Sequence, residues 1–185
     1  TLVVEHAVNR ASESLMVVTA SRKHADRVRA AVTAAFAGRS DVADFVSRET
    51  AEPLAVLTLE ESVAESRDRV IFSLGYGKTR HGRVLSELGD LSSDDGERLL
   101  TVGMTRARRS MVVVSCVRPP DIDDGRFSNG AALLMDILRS YEESRSTPRR
   151  EDDADPLTLA LARELRRMGA AVEVDYRGLD RKSVV

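Results

Sequence analysis

A single cysteine, three histidines, few aromatic residues and no surplus of positive charge set the first limits on this chain of 185 residues. One cysteine rules out an internal disulfide framework, and the scattered histidines offer no metal-ligand spacing, so no metal site is expected. Cys116 follows the apolar run Met111 to Val114 and reads as the end of a strand, where a thiol behaves as a small buried hydrophobe. Basic and acidic residues number 28 and 30, a net charge of -2, which excludes a global positive field for nucleic acid and makes any such contact local. No apolar run approaches the roughly 20 residues of a membrane helix, and no signal-peptide plan opens the chain. A cytoplasmic location is expected.

What is present is an ordinary globular composition, 42% hydrophobic, enough for one domain and a fragment of another. The chain opens on Thr1 with Leu2, Val3 and Val4 already apolar, which reads as a piece of a longer protein. Leu15 to Thr19 predicts a strand, Ser21 a helix N-cap, and Ala25, Val28, Val32 and Phe36 a helix closed by Gly38. Residues 39–53 predict a short helix and loop. Leu54 to Leu57, Arg69 to Leu74 and Met111 to Cys116 predict three further strands, with a long loop over 75–95 and a helix capped by Asp94 or Asp95 before the last of them. Leu134, Ile137, Leu138 and Tyr141 mark a closing helix. Short strands alternating with helices point to an α/β fold with a parallel sheet covered on both faces, whose ligands usually sit at the carboxyl ends of the strands.

From about Glu142 to Pro156 the composition turns to that of a linker. Beyond it Asp155 caps a helix that starts at Pro156, carries Leu161, Leu165 and Met168 as a stripe and stops at Gly169, with Val172 to Tyr176 as a following strand. One helix and one strand cannot bury a core, so residues 157–185 read as the start of another domain.

The chemistry concentrates in residues 96–109, where Gly96-Glu97-Arg98 opens a short amphipathic helix, Gly103 leaves a bare spot one turn before Arg106, and an apolar strand follows. Such a join presents an arginine from a rigid support; its plainer reading is a solvated helix face. No Gly-x-x-x-x-Gly-Lys-Ser/Thr loop occurs, so the chain has no phosphate cradle of its own. Lys78, Arg80, His81 and Arg83 form a local basic cluster beside Gly75-Tyr76-Gly77, suited to the phosphates of a bound strand or to an ordinary solvated loop. Tyr76 alone supplies an aromatic face there, which gives base stacking little support.

In order along the chain stand Arg67-Asp68, Val70-Ile71-Phe72-Ser73, Gly75-Tyr76-Gly77, His81-Gly82-Arg83, Gly96-Glu97-Arg98 and Thr105-Arg106-Ala107-Arg108. This series resembles the second RecA-like motor domain of superfamily 1 helicases, of the large bacterial type followed by an endonuclease-like domain. The resemblance covers residues 1–142, with 143–156 as linker and 157–185 as the partial endonuclease-like start. It implies a RecA-like parallel sheet flanked by helices on both faces, a P-loop NTPase fold without its own P-loop, plus a short helix-strand fragment. It further implies that Arg106 is an arginine finger for ATP and Mg2+ held by a first RecA-like domain, with Thr105, Arg98 and Gly103 supporting the nucleotide side. Gly75, Tyr76, Lys78, Arg80, His81 and Arg83 would then touch single-stranded DNA.

The same resemblance exposes departures. Where the family carries Gln-Gly-Asp-Glu, this chain has Val63-Ala64-Glu65-Ser66, so the ribose-binding carboxylate is replaced by Ser66 and only the neighbouring Glu65 could substitute. Leu99 and Thr101 replace an Arg and an Asn of the pattern, and Glu164 and Asp175 are acidic candidates in the tail by position alone. The expected role is the C-terminal motor domain of an ATP-dependent DNA helicase or translocase, inactive as an isolated chain. The rival expectation is a non-catalytic helicase-like scaffold that binds DNA or a partner protein.

Overall fold

The computed structural model describes residues 2–47, 51–81, 87–118, 126–146, 156–168 and 182–184. Residues 1–139 and 181–185 make one compact unit, and residues 140–180 a second. In the first unit, helix α1 (Leu2–Asn9) precedes strand β1 (Leu15–Thr19), and helix α2 (Arg22–Phe36) follows it. A short helix α3 (Ala43–Ser47) leads to β2 (Ala55–Thr58), then β3 (Arg67–Ser73), helix α4 (Gly96–Met104), β4 (Ala107–Val114) and helix α5 (Asn129–Ser146). In the second unit the described elements are the last turns of α5 and helix α6 (Pro156–Arg167), on which Glu164 pairs with Arg167 at 2.5 Å. Strand β5 (Lys182–Val184) belongs to the first unit and joins its sheet beside β4.

The sheet is wholly parallel, in the order β2-β1-β3-β4-β5, as the sequence pattern predicts for its class. Every residue of β1 is buried, because helices cover both faces. On one face Leu15, Val17 and Ile71 pack with Leu2 and Val3 of α1, Val28 of α2 and Phe45 of α3. On the other, Met16, Val18, Val70 and Phe72 pack with Leu99 and Leu100 of α4 and with Ala131, Leu134, Met135 and Leu138 of α5. The loop after β1 thus leads to one face and the loop after β3 to the other, which makes the carboxyl ends of these neighbours the switch point of the sheet.

Several sequence expectations need correction. Helix α1 was unmarked by any N-cap and occupies a segment read only as apolar. Strand β4 starts at Ala107, four residues before the apolar run at Met111, because Arg67 and Arg69 of β3 pair with Ala107 and Ser110 and carry the ladder into polar sequence. It also ends at Val114. The Ser115 hydroxyl accepts the Val117 N–H at 3.1 Å and donates to the Val117 carbonyl at 2.8 Å, so the chain turns and Cys116 is exposed rather than buried. Of the residues read as an apolar stripe, Leu161 is exposed on α6 and Met168 is exposed just past its end. By contrast Ser21 caps α2, its hydroxyl accepting the His24 N–H, and α2 ends before Gly38, whose φ is +72°. Asp155, Gly169, Val172 to Tyr176 and the acidic candidate Asp175 lie outside the described residues.

Two close backbone approaches fix α4 and α5. A Cβ on Gly96 would lie 2.1 Å from the Leu91 carbonyl oxygen, and one on Gly130 would lie 2.2 Å from the Gly96 carbonyl oxygen, so the first turns of the two helices meet main chain to main chain. Asn129, at φ +52°, donates from its side chain to the Ser92 carbonyl at 3.0 Å and sets the start of α5. A Cβ on Gly103 would press on the methyl tip of Leu59 at 2.3 Å and meet Phe72 at an ordinary 3.8 Å. Gly96→Ala and Gly130→Ala are therefore expected to cost about 1–3 kcal/mol in urea denaturation, by forcing backbone to move, and Gly103→Ala to cost less because a side chain can rotate away.

His6 on α1 is buried, donates from Nε2 to the Glu13 carbonyl at 3.0 Å and meets Phe45 edge-to-face at 5.6 Å. Burial pushes its pKa down, and burial does the same to His24 on α2. Both fold as neutral rings, so the unfolded chain takes up protons first as pH falls below about 6.5, and stability drops until the folded pKa values are passed. Denaturation midpoints should fall between pH 7.5 and 5.5, and fall less in His6→Gln.

Candidate functional site

The β4 amino end is held by a network that starts from β3. Arg67 is buried; its Nη1 donates to Glu65 at 2.8 Å and to the Ser66 carbonyl at 2.7 Å, and its Nε to the Pro53 carbonyl at 3.3 Å. Beside it Asp68 accepts from the Ser14 N–H and hydroxyl, both at 3.0 Å. Arg108 spans Asp68 at 3.2 Å and both oxygens of Glu52 at 2.6 and 2.5 Å. The fork of this guanidinium holds the Glu52 carboxyl down at about 2, while the Ser14 N–H lowers that of Asp68. These bonds join the linker before β1, the approach to β2, and the starts of β3 and β4. Nothing in the sequence marked Glu52, because its partner lies 56 residues away.

Arg106 sits on the same rim, in the two-residue join between α4 and β4. The helix stops at Met104, so this arginine lies just past the helix on which its motif was expected. Thr105 closes the helix, its hydroxyl donating to the Thr101 carbonyl at 2.9 Å, and Arg106 Nε donates to the Val102 carbonyl at 2.9 Å. Side-chain donors thereby satisfy the last turn of α4, where the helix dipole also favours a cation. Arg106 Nη1 donates to the Val63 carbonyl at 2.9 Å and Nη2 approaches the Thr105 hydroxyl at 3.3 Å. The side chain is half-buried and outside the core.

Charge distinguishes Arg106 from its neighbours. Arg67 pairs with Glu65, Arg98 with Asp95, Arg108 with Glu52 and Asp68, and Arg109 with Glu13. Arg106 is bonded to neutral oxygens only and has no carboxylate partner among the described residues. Its remaining N–H groups and its uncompensated charge suit an incoming anion. The fit of the other nucleotide-side candidates differs. Arg98 is exposed in the first turn of α4, gripped by Asp95 and about 9 Å along the helix from its last residue, Met104, at about 1.5 Å per residue. Asp95 occupies the N-cap position, yet its carboxylate serves Arg98 instead of the helix N–H groups. Gly103 is buried and its bare face receives Leu59. Glu65 is on the rim, 43% exposed, with its carboxylate taken by Arg67.

The basic candidates lie at the opposite rim, beyond the carboxyl end of β3. Gly75 takes φ +70°, and a Cβ there would fall 2.3 Å from the His24 ring, which itself bonds the Ser73 hydroxyl at 2.8 Å. Tyr76 is half-buried, shares a hydrogen bond with Ser21, and is pushed up by desolvation. The loop therefore folds over the start of α2 at the switch point. Lys78, Arg80 and His81 are exposed there; Gly82 and Arg83 lie outside the described residues. Among the described residues no cluster of His, Cys, Asp and Glu could hold a metal ion, and no helix is long and apolar enough to cross a membrane.

No protein-family profile matches the chain, and no solved structure matches it. Two curated proteins do. Over 88 residues, 47% of this chain, it is 32% identical to the uncharacterized ATP-dependent helicase MG140 of Mycoplasma genitalium. Over 87 residues, 46% of this chain, it is 33% identical to the MG140 homolog of Mycoplasma pneumoniae. The matched segments cover 8% and 7% of those proteins. A parallel α/β sheet with an uncompensated arginine at its amino rim thus stands in a chain similar, over just under half its length, to ATP-dependent helicases.

Proposed function

We propose that the unit formed by residues 1–139 and 181–185 is the second RecA-like motor domain of a superfamily 1 DNA helicase or translocase, with Arg106 as its arginine finger. The observation that carries this reading is the unpaired charge of Arg106 on a rim where each adjacent arginine of the motif is ion-paired. A guanidinium fixed by its own helix end and by the Val63 carbonyl is pre-positioned, so it meets charge developing on a phosphoryl group with little reorganisation. ATP and Mg2+ would be held by a first RecA-like domain, since this chain has no phosphate loop. Single-stranded DNA would cross the opposite rim, near Gly75, Tyr76, Lys78, Arg80 and His81. Closure of the two domains on ATP would then be felt through the sheet from one rim to the other.

The degenerate segment Val63-Ala64-Glu65-Ser66 is less damaging to this role than its side chains suggest. Val63 acts through its carbonyl, which any residue supplies, so the support of Arg106 survives the loss of the family glutamine. Ribose recognition does not, because Ser66 lacks the carboxylate and Glu65 is bound to Arg67. That pairing favours the second reading, a helicase-like scaffold that binds DNA or a partner without turning over ATP.

In a polypeptide carrying both motor domains, Arg106→Ala should lower DNA-stimulated ATP turnover by about 10³–10⁵ and leave nucleotide affinity nearly unchanged. Thr105→Val removes the capping hydroxyl but keeps the guanidinium, and should leave turnover close to the parent value. Equal losses in both variants would assign Arg106 to helix capping alone. No turnover in the parent protein would select the scaffold.

A further inference from the structure

Two outward main-chain groups of β2 are taken by side chains and a third by the turn that follows the strand. Leu59 donates its N–H to the Thr19 carbonyl of β1, so by alternation Ala55 and Leu57 face β1 while Val56 and Thr58 face outward. Outward main-chain groups on an edge strand are a template for another strand. Here the Val56 carbonyl accepts from Arg29 Nε at 3.1 Å and Nη2 at 2.7 Å. The Thr58 N–H donates to Glu61 Oε2 at 2.9 Å, and the Thr58 carbonyl accepts the Ser62 N–H at 3.1 Å. Arg29 and Glu61 also meet each other at 3.4 Å, Asp26 holds Arg29 at 2.7 Å, and Arg22 holds the second oxygen of Glu61 at 2.7 Å. Glu61 is thereby tied first to its own strand and then to two arginines of α2, and the Thr58 N–H is the main cause of its lowered pKa.

We propose that Arg29 and Glu61 form a guard that keeps β2 from pairing with the β2 of a second copy of this chain. The guard is built from two separate elements, α2 and the turn after β2, which each take one outward residue of the edge, Arg29 at Val56 and Glu61 at Thr58, and meet each other. A helix surface alone would need no guanidinium turned onto a strand carbonyl, and a turn alone would need no carboxylate turned back onto a strand N–H. The strand it covers, Ala55-Val56-Leu57-Thr58, is uncharged and β-branched at alternate positions, the composition that pairs with itself when left open. Identical edges pair most simply about a two-fold axis, which makes a closed antiparallel dimer the species held in check.

The test uses the full chain in sedimentation equilibrium. Arg29→Met keeps the apolar stem and the helix propensity while removing the donors to Val56; together with Glu61→Met, which removes the acceptor of the Thr58 N–H, it should strengthen self-association by about tenfold or more over the parent. Val56→Pro added to that pair removes an outward N–H and should restore the parent value, as proline is tolerated on an outward edge. Association unchanged in the folded double variant would overturn the proposal, and so would association that Val56→Pro does not reverse. Hydrogen exchange on the parent chain tests the guard without substitution: the Thr58 amide should be protected, and exchange at the rate of an open edge amide would overturn it.

Discussion

Burial of both faces of β1 and β3 is the constraint from which the rest of the architecture follows. Parallel neighbours cannot be joined by a tight turn, so after each strand the chain must return along one covered face to the amino edge before the next strand begins. This separates the molecule into two rims with different chemistry. At one, strands leave the core and their loops fold back on α2; at the other, strands enter the core and arginines gather to hold the entry points together. The apolar layers decide that the rims exist, and the polar residues decide what each rim presents.

The amino rim shows how one residue type serves two ends. Arg108 is committed to carboxylates and serine hydroxyls and Arg67 to a carboxylate and backbone, and their pairing ties together segments far apart in sequence. An exposed ion pair of this sort contributes little alone, but a fork that reaches Glu52, Asp68 and Ser14 at once restricts where β4 can begin. Arg106, one residue ahead of that strand, inherits a fixed position without inheriting a counter-ion. A helix end capped by a cation that stays electrically unbalanced sets this position apart from Arg98, Arg108 and Arg109, whose charges are all met.

Local signals in the sequence located the elements whose reasons are local. Ser21 and Gly38 bracket α2, and the compact run Leu15 to Thr19 is β1 residue for residue, because caps and continuous apolar runs are read within a few positions. The start of β4 was hidden since Ala107, Arg108, Arg109 and Ser110 are strand only through their pairing with β3, a partner that periodicity does not reveal. The Gly96–Gly130 approach was likewise illegible: Gly96 was legible as part of a motif, but its reason is a second helix start 34 positions further on. In the candidate site, the arginines were legible as residues and their partners were not. Resemblance gives Gly103 and Arg98 to the nucleotide side with Arg106; in the fold Gly103 packs on Leu59 and Arg98 is paired with Asp95, contacts that the sequence does not show.

The turn that ejects Cys116 from the sheet leaves the sole thiol of the chain exposed at the far end of β4, on a Cβ 3.7 Å from where a side chain on Gly77 would begin. Thiol-directed chemistry therefore has one address, and a fluorophore attached there would report from beside the Gly75-Tyr76-Gly77 loop, on the rim opposite Arg106. The molecule comes with its own attachment point for watching that rim while the other is being altered.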